Sequence, residues 1–134
     1  MPLSPAVLAV EHTGCIIKDD DSILMIRPEW LREILNGKTY EIRGKPCPAK
    51  IGKQIFLAAS ESSSVSATAV VLACHGPLSK VQWEESRKYH RVPGPRLYGE
   101  CTYAWELKDV KSISPSILIK RKRGSVDWQT GPGF

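Results

Sequence analysis

Apolar positions along the chain fall into short runs divided by proline, glycine and serine, and the spacing within each run predicts its element. Ser22 to Arg27 (SILMIR) has the length and branching of a buried strand. Pro28 then sits where the first turn of a helix tolerates it, and Trp30, Leu31, Ile34 and Leu35 fall on one helical face. Glu29, Arg32 and Glu33 turn to water. Asn36-Gly37 stops this helix, since both residues accept the left-handed conformation of a C-terminal cap. Thr39 to Arg43 predicts a strand whose period of two sets Tyr40 and Ile42 toward the core and Thr39, Glu41 and Arg43 on an outward face.

The rest of the chain has a similar texture. Lys45-Pro46-Cys47-Pro48 predicts a loop, because proline removes donors and keeps its predecessor out of the helical region. Gln54 to Ser60 and Val65 to Cys74 predict two strands joined by Glu61 to Ser64, the second apolar on both faces near its end. Ser79 and Gln82 have capping-box spacing and open a second helix running to about Tyr89. Pro93-Gly94-Pro95 is a rigid loop. Cys101 to Val110, Ile117 to Lys120 and Ser125 to Gln129 complete the strands, with a turn at Arg123-Gly124 and a frayed tail over 131–134.

About six strands and two short helices, without a βαβ rhythm, argue for a small mixed β-barrel of the α+β class; a ferredoxin-like sandwich has the same periodicity. Residues 1–22, broken by Pro2 and Pro5 and closed by Asp19-Asp20-Asp21, read as an extension in which Val7 to Val10 forms a short strand. The domain proper spans 23–130.

Composition narrows the class. With 134 residues, 42% hydrophobic and 25% charged, the chain is expected to be one globular domain. No apolar run approaches the roughly 20 residues of a membrane span, and no basic residue precedes the short apolar stretch at Ala6 to Val10. A monomer inside the cell, in cytoplasm or nucleus, is the expectation. The net charge of +5 is unevenly spread: Lys38 to Lys53 holds five bases and one acid, Arg87 to Arg96 four bases and no acid. Segregated positive charge captures polyanions, although a merely solvated basic surface has the same signature.

Cys15, Cys47, Cys74 and Cys101 form no CxxC, and His12, His75 and His90 have no zinc-ligand spacing, so neither metal nor cofactor is implied. Cys74-His75 reads as nucleophile and base or as a core thiol, and neighbours on a strand pointing to opposite faces favour the core. Lys120 to Arg123 reads either as a localisation run or as a charged hairpin edge.

One cluster carries candidate chemistry. Lys38, Thr39, Glu41 and Arg43 follow the helix end within six residues. Arginine offers a planar fork to phosphate or to a base edge, lysine a point charge, and a glutamate accepts from an exocyclic amine. An exposed strand face with one salt bridge fits the same spacing. Lys45, Arg87 and Arg91 are further candidates for phosphate contact.

The segments SILMIRPEW and ILNGKTYEIR, then IFLAAS, YAWELKDV and KRKRGSVDW, occur in an order that resembles the ASCH domain, a branch of the PUA-like superfamily. The resemblance runs from about Ile23 to Trp128. It implies a PUA-like barrel with a cleft beside the first helix, lined by Lys38, Glu41 and Arg43, and a role in binding RNA. The chain departs from the pattern in one respect: the family places a residue between its glycine and lysine, whereas Gly37 and Lys38 are adjacent here. Small bacterial members are amidohydrolases on N4-acetylcytidine that use the signature lysine, a threonine two residues before the signature arginine, and a glutamate from elsewhere. Lys38 matches that lysine, but Glu41 holds the threonine position.

The resemblance therefore implies an RNA- or nucleotide-binding module. The alternative is an amidohydrolase or ribonuclease in which Lys38, Thr39 and Glu41 are catalytic. Against it, the hydroxyl of Thr39 is displaced by about 6–7 Å along the strand from the threonine position, further than attack geometry tolerates. A second carboxylate would come from Glu84, Glu85 or Glu100.

Overall fold

The run SILMI becomes strand β2 (Ser22–Ile26), with Ile23 to Ile26 buried, as continuous apolarity with no polar alternation requires. The computed structural model describes the backbone of residues 7–11 and all of residues 17–122 and 127–134. The Arg123-Gly124 turn, His12, Cys15 and much of the 1–22 segment lie outside the described residues. The other strands are β1 (Val7–Glu11), β3 (Tyr40–Arg43), β4 (Gln54–Ala59), β5 (Ser64–His75), β6 (Tyr103–Leu118) and β7 (Trp128–Thr130). They form one sheet in the order β1-β6-β5-β4-β2-β7. Strand β3 shares an edge of β6 with β1: β3 takes Tyr103 to Glu106, and β1 runs parallel to Val110 to Ser114. The sheet curls into a half-barrel of the α+β class.

Strand β6 corrects the expected pair of segments at 101–110 and 117–120. It runs unbroken through Pro115, which falls where the β5–β6 register jumps from Ala67↔Ser112 to Val65↔Ile117. A bulge asks no ladder hydrogen bond of the missing N–H, so the proline is accommodated.

Helix α1 (Pro28–Leu35) starts and stops where its punctuation predicts. Gly37, at φ +107°, donates to Ile34 O, and the Lys38 N–H donates to Glu33 O at 2.9 Å. These two bonds make a Schellman ending, so the adjacency of Gly37 and Lys38 costs the helix nothing and fixes where the lysine leaves it. The second expected helix is two, α2 (Lys80–Glu85) and α3 (Arg87–His90), and the capping box of Ser79 and Gln82 is formed. Between them the Ser86 hydroxyl donates to Gln82 O at 2.7 Å, the back-bond that bends a helix.

The main core lies inside the curl, around Leu24, Ile26, Ile55, Leu57, Trp105 and Leu107, with Leu31 and Ile34 of α1 laid over it. A separate cluster of Ile42, Leu78, Trp83, Val92 and Ala104 lies under α2 and α3. Strand β3 therefore has a covered face on each side. The tail expected to fray is tied in: Gly131 donates to Asp21 O and Lys120 donates to Pro132 O.

Candidate functional site

Strand β3 pairs Glu41 with Trp105 and Arg43 with Tyr103, which points both charged side chains into the curl. The outward face expected for them is thereby corrected: Glu41 is 4% exposed and Arg43 9%, because the period of two says which residues share a face and not whether that face is covered. Tyr40 and Ile42 take the other side, Ile42 in the cluster under the helices and Tyr40 half-buried against His75 and Tyr89.

Burial forces the charges to find one another. Arg43 donates from Nε and Nη2 to Glu41 Oε2 at 3.1 and 2.9 Å, from Nη2 to the β2 carbonyl of Met25 at 3.0 Å, and from Nη1 to Asp127 Oδ1 at 2.6 Å. Four of its five N–H groups are thus committed within the protein. Lys45, mostly exposed, reaches Asp127 Oδ2 at 3.0 Å. At the other end the Lys38 ammonium stands 3.6 Å from Glu41 Oε1 and 4.1 Å from the centre of the Trp30 ring. The order of charges is Lys38, Glu41, Arg43, Asp127, Lys45, alternating in sign, with one excess positive charge.

The neighbours set the titration of these groups. Burial opposes the charge of Arg43, but Glu41 and Asp127 more than offset it and its pKa is raised. Burial also opposes the charge of Asp127, and the hydrogen bonds from Lys45 and Arg43 win, holding its carboxyl below the ordinary range. For Lys38 desolvation outweighs Glu41, and its pKa is lowered.

A hollow of about 440 Å³ opens over this cluster. Glu41, Arg43 and Asp127 line it with Met25, Trp30 and Tyr98, and Arg27 and Ser60 complete the polar part of its wall. The size and the mixture of aromatic walls with a few polar groups suit a small planar ligand. Glu41 Oε1 has no hydrogen-bond partner among the described residues.

The remaining candidates are placed differently. Thr39 lines another hollow of about 390 Å³, between the end of α1 and residues 106–111 of β6, together with Lys38. Arg87 donates to the carbonyls of Val92 and Gly94 and pairs with Glu84, so it braces the loop that follows α3. Arg91 ties that loop to α1 through Glu33 and Asn36 O, each at 3.1 Å. Neither reaches the hollow over Glu41. Of the carboxylates considered from sequence, Glu84 pairs with Arg87, and neither Glu85 nor Glu100 lines that hollow. Lys120 to Lys122 follow β6 and are held by individual bonds rather than by a hairpin ladder, since β7 pairs with β2: Gln129 bonds Lys120 O and the Lys122 N–H, and Arg121 donates to Ser60 O. No cluster of His, Cys, Asp or Glu among the described residues could hold a metal ion, and no helix among them is long and apolar enough to cross a membrane. Arg27, Trp30, Tyr98 and Asp127 are the site residues that sequence reasoning did not assign. Trp30 alone carried a local signal, as a large ring on a helix ending at the charged cluster.

No family model matches the sequence, and no curated protein does so. Solved structures do. A serine-to-alanine mutant of the ASCH protein of Zymomonas mobilis superposes with a TM-score of 0.64 at 21% identity, over 86% of this chain and 90% of that one. A tyrosine-to-phenylalanine mutant of the same protein gives 0.56 at 22% identity, over 69% and 72%. The likeness extends over nearly the whole half-barrel, and this chain has the fold of an ASCH domain, as the order of its motifs implies.

Proposed function

We propose that the chain is a monomeric RNA-binding module that holds single-stranded RNA at the hollow beside α1. One observation carries the reading. Glu41 and Arg43 line a single concavity walled by Trp30 and Tyr98, while Lys38, 3.6 Å from Glu41, lines the neighbouring hollow with Thr39. Sequence-specific RNA recognition works in this way, with unstacked bases laid on aromatic rings and hydrogen-bonded at their edges. Arg27 and Lys45, both exposed cations near the hollow, supply sequence-independent attraction for the backbone. A hydrolytic role has less support, since Thr39 faces a different hollow from Glu41 and Arg43.

The test is fluorescence anisotropy with a labelled single-stranded RNA, titrated at several salt concentrations. Affinity that falls linearly on a log–log plot as salt rises is the expected result. Absence of binding at low salt would overturn the reading.

A further inference from the structure

Two of the thiols meet at the main core. The β5–β6 register sets Cys74 opposite Trp105, and the Trp105 indole N–H donates to Lys45 O at 2.8 Å, two residues before Cys47. Cys47 is buried inside the curl, Cys74 packs half-buried against the same cluster, and the two sulfurs are within hydrogen-bonding reach of each other. His75, next in the chain, turns to the other side of the sheet, where it stacks on Tyr40 and bonds Glu106 Oε1 at 2.7 Å. The nucleophile-and-base pairing of Cys74 with His75 is therefore not formed. The neighbour of the Cys74 sulfur is another sulfur.

The two thiols are not equivalent. Cys74 is the one with exposure, so a small oxidant reaches it first. Cys47 is screened from water: desolvation, with the Cys74 sulfur adding to it, pushes its pKa up to about 12, and it rests as a thiol. Arg43 and Lys50 act on it in the opposite sense and favour its thiolate. Oxidising Cys74 to a sulfenic acid removes the charge that a Cys74 thiolate would set against Cys47. It also leaves an electrophilic sulfur beside a second thiol.

We propose that Cys74 is a site of peroxide oxidation and that Cys47 resolves it, closing a reversible disulfide between the segment that carries Lys45 and strand β5. Hydrogen peroxide is the oxidant. The Cys74 sulfur attacks one peroxide oxygen, the O–O bond breaks, and the departing hydroxide takes the Cys74 proton as water. The Cys47 sulfur then attacks the Cys74 sulfur, the S–O bond breaks, and hydroxide leaves with the Cys47 proton as a second water. One peroxide is reduced to two waters, and two thiols are oxidised to one disulfide. The new bond encloses β4 and most of β5 in a covalent loop, which constrains the unfolded chain and makes the oxidised protein the more stable form.

The test treats the full chain, first reduced and desalted, with hydrogen peroxide. Remaining thiols are blocked with iodoacetamide, and the products are mapped by peptide mass spectrometry. The expected result is a monomer in which the Cys47 and Cys74 peptides are joined, and dithiothreitol should free them again. The urea midpoint of the oxidised form should lie above that of the reduced form and return with reduction. In Cys47→Ala the sulfenic acid has no resolving thiol, so dimedone should label Cys74; Cys74→Ala should abolish the rise in midpoint. Oxidation of wild-type Cys74 to a sulfinic acid while Cys47 stays free would overturn the proposal. So would products linked only through Cys101, or a linked form no more stable than the reduced one. The wild-type arms decide by themselves should either variant fail to fold.

Discussion

Arg43 and Asp127 are 84 positions apart in the chain and 2.6 Å apart in the structure. Between them they close the open side of the half-barrel. The Arg43 guanidinium sits at the end of β3, and its partners Met25 O and Asp127 belong to β2 and the entry to β7, to which no backbone ladder among the described residues joins β3. The Met25 N–H in turn donates to Asp127 O at 2.8 Å. One side chain does the work of a missing row of strand hydrogen bonds.

Arg43 should therefore matter to stability before it matters to any ligand. Arg43→Ala strands Glu41 without its hydrogen-bonded cation and opens the seam, and breaking a buried pair in this way costs about 3–5 kcal/mol. Denaturant titration of wild type and variant measures it. A loss under about 1 kcal/mol would mean that the seam is held by other contacts.

The legible part of this molecule is local. The Pro28 entry, the Asn36-Gly37 exit and the Ser79–Gln82 box each depend on residues within a few positions, and each is formed as the sequence implies. Burial of Glu41 and Arg43 was not legible, because it requires knowing that β3 lies inside a curl on one side and under α2 and α3 on the other. Tyr98 and Asp127 were illegible for a related reason. Tyr98 comes from irregular chain with no periodicity to give it a face, Asp127 from an expected strand that forms only from Trp128 onward, and only the closed curl brings either of them to β3.

Arg27 and Lys45 are exposed and carry little of the fold, so they separate binding from stability. Replacing either with alanine should leave the unfolding midpoint near wild type. RNA affinity should weaken similarly across sequences, and the log–log salt slope should fall by about one for each. An unchanged slope would remove that residue from the path of the phosphates.

His90 gives the protein an acid-sensitive support. It is fully buried, stacked 3.8 Å from the centre of the Trp83 ring; its Nδ1 accepts from the Val92 N–H at 2.9 Å, and its Nε2 donates to Trp83 O. Both nitrogens are used by the neutral ring, and a second proton would displace the Val92 bond. Desolvation, with Arg87 adding to it, holds its pKa below the ordinary 6.5. The unfolded chain then binds a proton that the folded one refuses, so stability is full above about 6.5 and declines as pH falls through that value. Urea midpoints at about pH 8 and about pH 5 should differ in that direction for wild type, and the difference should shrink in His90→Gln. An equal difference in the variant would place the acid sensitivity elsewhere.

Gly44 tests whether Tyr98 belongs to the hollow's wall. A Cβ on Gly44 would stand 2.9 Å from Tyr98 Cδ1 and 3.2 Å from Cγ, so alanine pushes the ring near its root, where rotation of the ring gives no relief. Tyr98 is 48% exposed and has room to swing outward, so the displacement costs the fold little. Gly44→Ala should consequently keep its stability to within about 1 kcal/mol while losing RNA affinity, since stacking on an aromatic side chain contributes about 1–3 kcal/mol per base. Tyr98→Ala should lose a similar amount, and the double variant no more than either single one, because both act through the same ring. Additive losses would show that Gly44 affects binding by a route other than Tyr98.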